Sequence, residues 1–174
     1  MIKDRDVIEN DLAQVFEAYG KACYLGQNLE QSFRFLLGLN ELKNAKEKNK
    51  EKVFAKVDAE TALFTLNKIF REAQKIEYFS KEQIQMLIKA NQLRNYIMHD
   101  FWATNISDVT TPDGRLRIKT ELEEHAKTLK AADRIIVEKI DNYLIEHGLT
   151  TDILKEMVDH EYEAGSVDMP KLKH

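Results

Sequence analysis

From Asp6 to Ala45 apolar side chains return every three or four residues, at Val7, Ile8, Leu12, Val15, Phe16, Tyr19, Leu29, Phe33, Leu36 and Leu37, and no proline interrupts them. That period matches the 3.6-residue turn of an α-helix, so the stretch predicts one long helix or two nearly continuous ones. Three glycines, Gly20, Gly26 and Gly38, fall inside it. Each costs about 1 kcal/mol relative to alanine in a helix interior, and something must offset that. Close approach of another helix is expected at Gly20 and Gly26, which sit beside aromatic or long apolar residues able to cover a partner backbone.

The rest of the chain is also poor in helix breakers, with only 6 glycines and 2 prolines in 174 residues. Asp58 is a good N-cap for a second helix that carries Ala62, Leu63, Leu66, Ile69, Phe70 and Ala73 and stops near Tyr78. Ser80-Lys81-Glu82-Gln83 has the form of a capping box, with a hydroxyl at the cap and a glutamine three residues on, and starts a third helix. Thr104 to Gly114 is rich in turn-forming residues and reads as the clearest loop. From Arg115 to His147 a stripe of Leu122, Ala126, Leu129, Ala132, Ile136, Ile140, Tyr143 and Leu144 predicts a fourth helix, with Gly148 at its C′ position. A short helix from Thr151 to about Tyr162 would follow, and the tail from Gly165 to His174 has little to bury. The expected class is all-α, with one domain over 1–164 and a frayed tail over 165–174.

The net charge of −4 argues against a protein that coats nucleic acid non-specifically, though a confined basic cleft is still allowed. Lys43 to Lys56 holds six lysines against two glutamates; a solvated helix end and linker explains this better than a phosphate-binding patch. Cys23 is the single cysteine, which excludes an intrachain disulfide and a cysteine-based zinc cluster, and among Ala22, Tyr24 and Leu25 it reads as a small buried hydrophobe. The charged N-terminus has no apolar run behind it of signal-peptide length. No stretch approaches the roughly 18 apolar residues of a membrane span, so a soluble, cytoplasmic chain is expected.

The segment Lys81 to Ala103 is where the helical pattern becomes unusual. At about 100° per residue, Ile84, Leu87, Ile88, Met98 and Trp102 fall on one side, yet Asn91, Arg94 and Asn95 lie within the same arc and His99 borders it. Polar groups buried without partners cost about 1 to 3 kcal/mol each, so such a stripe should be a satisfied polar network, a subunit interface or a site.

Arg94-Asn95-Tyr96-Ile97-Met98-His99 resembles the Arg-polar-xxx-His signature of HEPN domains. The aromatic pair Phe101-Trp102 just past the histidine, and the early helix from Tyr19-Gly20-Lys21-Ala22 to Gly26-Gln27-Asn28-Leu29-Glu30, are similar to a branch of small stand-alone bacterial proteins of that family. The resemblance implies an up-and-down bundle of about five helices. It also implies a metal-independent RNA endonuclease in a toxin-antitoxin or phage-defence setting, with a composite site where two copies meet through the motif helix. An antitoxin or another protein is then a possible partner. Toxins of the family controlled by nucleotidyltransferase antitoxins typically have a tyrosine two residues past the histidine; this chain has Phe101 there, so modification of such a tyrosine does not carry over.

The residue chemistry is compatible with this. RNA supplies its own nucleophile, the 2′-OH, so an enzyme need only move protons and stabilise charge on the phosphoryl oxygens. His99 suits the proton transfer, because its ordinary pKa lies near neutrality. Arg94 suits the phosphate as a fork-shaped permanent cation, and Asn95 could orient His99 or hydrogen-bond RNA. On one regular helix Arg94 and His99 stand about 140° apart, which makes a poor site in a single copy and a better one across a two-fold axis. The alternative is a non-catalytic HEPN-like module that binds a protein or nucleotide through the same surface, with Arg94 paired to an acid and His99 filling a polar gap. Nothing in the sequence calls for a cofactor. Glu121 with His125, and His160 between Asp159 and Glu161, read as solvated charged faces before they read as a metal site. Tyr96 falls on the polar side of its helix, as an exposed or interface aromatic, and Trp102 is expected in the core or a dimer interface.

Overall fold

The computed structural model describes residues 2–44, 68, 71–72, 75, 79–146 and 148. Among these there is no strand, and the long apolar periodicities have become helices: α1 (Ile2–Asn44), α2 (Lys81–Asn95), α3 (Phe101–Asn105) and α4 (Pro112–Glu146). A π-helical turn, Tyr96–Asp100, joins α2 to α3 without a break, so the motif lies on one continuous rod. Of the helix expected from Asp58 to Tyr78, Lys68, Arg71 and Glu72 are helical. Lys75, still inside the expected helix, is in a turn, with its N–H on Glu72 O at 3.1 Å; the other residues of that stretch lie outside the described residues, as do the Lys-rich link beyond Asn44, the short helix from Thr151 to Tyr162 and the tail.

The chain groups into two compact units, Met1–Ile140 and Asp141–His174. In the second, Gly148 lies two residues past the end of α4, takes φ +64° and donates its N–H to the Ile145 carbonyl at 3.2 Å, the left-handed stop for which glycine has no steric penalty.

In the first unit α2 runs antiparallel to α1, because Phe16 meets Trp102 while Gly26, ten residues later, meets Arg94. α4 runs parallel to α1, tied by Asp11–Arg115 at one end and Ser32–Asp133 at the other. The core between them is built from Val15, Ala22, Leu29 and Phe33 of α1, Leu87 and Ala90 of α2, Ile97 and Phe101 of the motif rod, and the expected α4 stripe from Leu122 to Ile140 with Ile118 ahead of it. Each fully buried leucine or phenylalanine stabilises the fold by about 2 to 3 kcal/mol.

Helix starts follow local chemistry. Ser80 accepts from the Gln83 backbone N–H at 3.2 Å while the Gln83 side chain accepts from the Ser80 N–H at 2.9 Å, the expected reciprocal box. The loop is shorter than the turn-rich composition suggests. Thr104 and Asn105 finish α3, and Pro112, Asp113 and Gly114 form the first turn of α4. Proline suits that first helical position, where its missing N–H costs nothing, and Thr111 caps the helix by accepting from Gly114 N–H at 3.1 Å. Gly114 is required there because a Cβ would collide with the backbone carbonyl of Asp108. Arg115, only 4% exposed, ties the connection down by donating to Val109 O at 3.1 Å and to Asp11 at 3.3 Å.

Several expected burials are corrected. Ile8 and Phe16 on α1 are exposed, as is Ile88 on α2, where Leu87, Ala90 and Asn91 are the buried positions instead. Gly26 does meet a neighbour, since a Cβ there would stand 3.0 Å from Arg94 Cγ; Gly20, the other expected close approach, has nothing within 4 Å.

Candidate functional site

Arg94 is where α2 crosses α1. Its side chain is 16% exposed and donates Nη2 to Glu30 Oε2 at 2.7 Å and Nη1 to Asn95 Oδ1 at 3.3 Å. The other oxygen of Glu30 accepts from Arg34 at 2.7 Å, one turn further along α1. Gly26, Glu30 and Arg34 therefore form a row at four-residue spacing, with the glycine making room for the stem of Arg94 and the carboxylate gripping its head. Among the described residues two guanidiniums share this one carboxylate, two positive charges against one negative. The Nε atoms of Arg34 and Arg94 are buried without hydrogen-bond partners.

Asn95 is half-buried and committed to Arg94, and neither of Arg94's bonds involves His99. His99 is exposed on the π turn. There the backbone bond from the Phe101 N–H reaches back five residues to Tyr96 O, and the Tyr19 hydroxyl donates to Ile97 O at 3.3 Å, a side chain of α1 inserted against the carbonyl ladder. Such insertions are a usual cause of departures from regular α-helix.

On the inward side of the same rod sits a polar cluster that sequence reasoning missed. Tyr96 is half-buried against α4 rather than exposed. Its hydroxyl accepts from Asn105 Nδ2 at 2.8 Å and donates to Glu121 Oε1 at 3.3 Å, and the same carboxylate oxygen lies 3.3 Å from His125 Nε2. Asn105, 6% exposed, also donates to Phe101 O at 2.9 Å. Burial pushes the Tyr96 phenol above its ordinary value; the Asn105 bond opposes this, and the negative charge of Glu121 adds to it. Glu121 and His125 thus form part of the packing and not the solvated face expected of them. Their four-residue spacing was visible, but nothing local indicated that Tyr96 would point at them. Among the described residues no three His, Cys, Asp or Glu side chains are grouped to hold a metal ion.

An aromatic row links the two sides. Phe16 and Tyr19 pack on Trp102 at 5.5 and 5.0 Å, Trp102 on Phe101 at 5.3 Å, Phe101 on Tyr96 at 5.8 Å and Tyr96 on His125 at 5.9 Å. Trp102 is half-buried in this row. Cys23, half-buried, lies near Tyr19, whose phenol is raised by burial and by that thiol and lowered by a bond from Trp102.

No described helix is long and apolar enough to cross a membrane. Compared with known proteins, the chain matches no family model, no curated protein and no solved structure.

Proposed function

We propose that the chain is a metal-independent RNA endonuclease of HEPN type, a bundle of about five helices acting as a homodimer through the motif helix, in a toxin-antitoxin or phage-defence setting. The observation that supports this best is the contrast within one six-residue motif: an exposed imidazole at His99 and, on the same rod, Arg94, which joins Glu30 and Arg34 of α1 in a cluster of two cations and one anion among the described residues. In the proposed reaction His99 takes the proton of the RNA 2′-OH as that oxygen attacks phosphorus. The bond to the 5′-oxygen breaks, and that oxygen is protonated by the imidazolium, supplied by the same residue or by its copy across the two-fold axis. Arg94 draws the phosphate and Asn95 keeps the guanidinium oriented.

A second reading has its own support. The 2.7 Å pair with Glu30 commits Arg94 to holding α1 and α2 together, which suits a non-catalytic module that binds a protein or nucleotide through the His99 edge.

The test is cleavage of labelled single-stranded and structured RNAs in EDTA by wild type, Arg94→Ala and His99→Ala, with folding checked by circular dichroism. Cleavage by wild type, lost in folded His99→Ala and leaving 2′,3′-cyclic phosphate ends, supports the nuclease. A folded, inactive wild type moves the assignment to the binding module.

A further inference from the structure

Along α1, Ala13, Phe16, Gly20, Tyr24 and Gln27 follow one another at three- and four-residue steps and are all exposed, Phe16 at 56% and Tyr24 at 61%. They form an uncharged strip on the face turned away from α4, which is held on the other side by Gln14, Ser32 and Asp11. In its middle Gly20 leaves a notch, with nothing within 4 Å of where a Cβ would be. No contact within the described chain accounts for a glycine at that point of a long helix.

The pattern is symmetrical about the notch. Phe16 and Tyr24 stand four residues either side of Gly20, and Ala13 and Gln27 seven either side. If a second α1 crosses antiparallel at Gly20, each Phe16 falls opposite a Tyr24, each Ala13 opposite a Gln27, and the two glycines let the backbones approach. Charge selects that direction. Glu17 and Lys21 are both exposed along the flank of the strip. Antiparallel crossing puts the two Glu17–Lys21 flanks on the same side and brings Glu17 of each copy within reach of Lys21 of the other, whereas parallel crossing turns those flanks to opposite sides and pairs neither. Aromatic opposite aromatic, glycine opposite glycine and acid near base under one rotation describe an isologous interface.

The geometry points to a second copy of this chain as the occupant of this strip, with two α1 helices crossing antiparallel about a two-fold axis at Gly20. The axis passes at the level of the π turn, because Tyr19 bonds Ile97 and Phe16 packs on Trp102. The π turn that carries His99 in each copy then lies at the level of the seam. This puts the contact between copies on α1 where the reading above has it on the motif helix, and rests on that reading only for what His99 does.

The test uses the full chain. Gly20→Cys in a Cys23→Ser background, mildly oxidised at low concentration, is expected to form a disulfide between copies in most of the protein. In sedimentation velocity the wild type is expected as a dimer, and folded Tyr24→Glu should weaken it on the order of tenfold or more, as for an aromatic at the centre of an interface. Glu17→Lys should weaken it as well, and adding Lys21→Glu should restore it. A wild type that stays monomeric across the micromolar range overturns the proposal, as does a dimer indifferent to Tyr24→Glu that forms no disulfide through Gly20→Cys. RNA cleavage is scored separately. A cross-linked dimer that cuts no RNA removes the nuclease and keeps the surface, while cleavage by a chain that fails these dimer tests does the reverse.

Discussion

Arg94 and His99 belong to one short motif, yet they occupy opposite environments. Arg94 is mostly covered, bound to Glu30 and to Asn95, and seated over a glycine of another helix; His99 is exposed on a π turn. One residue is therefore invested in holding two helices together and the other is not. The lesson is that stability and chemistry should separate within the motif, so that substitutions at its two ends report different things. A residue that does both jobs, as Arg94 does in the nuclease reading, gives an ambiguous loss of activity, while His99 gives a clean one.

The largest effect is expected at the carboxylate that makes the inner environment possible. Glu30→Ala leaves two mostly covered guanidiniums facing each other without their shared anion, and should cost about 3 kcal/mol in urea unfolding. A loss near zero would mean that Arg94 is held by packing alone and would erase the contrast with His99. Arg94→Ala should cost less, about 2 kcal/mol, because Glu30 keeps Arg34 as a partner. If the two substitutions prove equal, the Arg34 bond contributes nothing.

Tyr96 tests the inward face of the same rod. Tyr96→Phe removes a hydroxyl that bridges Asn105 and Glu121 and should cost about 1 kcal/mol. Its pH dependence has a definite sign. The folded-state pKa lies above the ordinary 10.0, so the contribution is complete below that value and is lost as pH rises through the folded-state pKa, where a phenolate would face Glu121. Wild type should therefore lose stability above pH 10.0 more steeply than Tyr96→Phe, with Tyr19, shifted in the same direction, contributing a common background. Parallel pH profiles would remove Tyr96 as a source of that loss.

The smallest effect on folding belongs to His99. His99→Ala should change stability by less than about 0.5 kcal/mol, as for other exposed positions, and in the nuclease reading should still abolish cleavage. A destabilisation approaching that of Arg94→Ala would show that His99 packs in solution and would end the division between the two ends of the motif.

Much of the secondary structure was legible because it depends on interactions a few residues long. The Ser80 box, the Gly148 stop, the α1 periodicity and the α4 stripe all express backbone hydrogen bonding and helical period, which act within about one turn. The motif residues were legible too, as polar interruptions of an apolar arc. Their partners were not. Glu30 and Arg34 had a visible four-residue spacing with Gly26, but it pointed to no particular neighbour until α2 crossed above it. Gly20 and Gly26 were indistinguishable by sequence, each a glycine in a helix beside long side chains; only packing put Arg94 over one and left the other open. The π turn had no signal, and the Tyr19 hydroxyl that bonds Ile97 O within it comes from another helix.

What the sequence determined by itself is that this chain is helical, where its helices begin and end along most of the described residues, and which polar residues break the apolar face of the central one. Only the tertiary structure decided which of those residues became a clamp and which stayed open to solvent. The reason is range: capping and periodicity are settled between neighbours in the chain, whereas the pairing of Arg94 with Glu30 joins residues 64 positions apart and exists only once two helix faces have chosen each other.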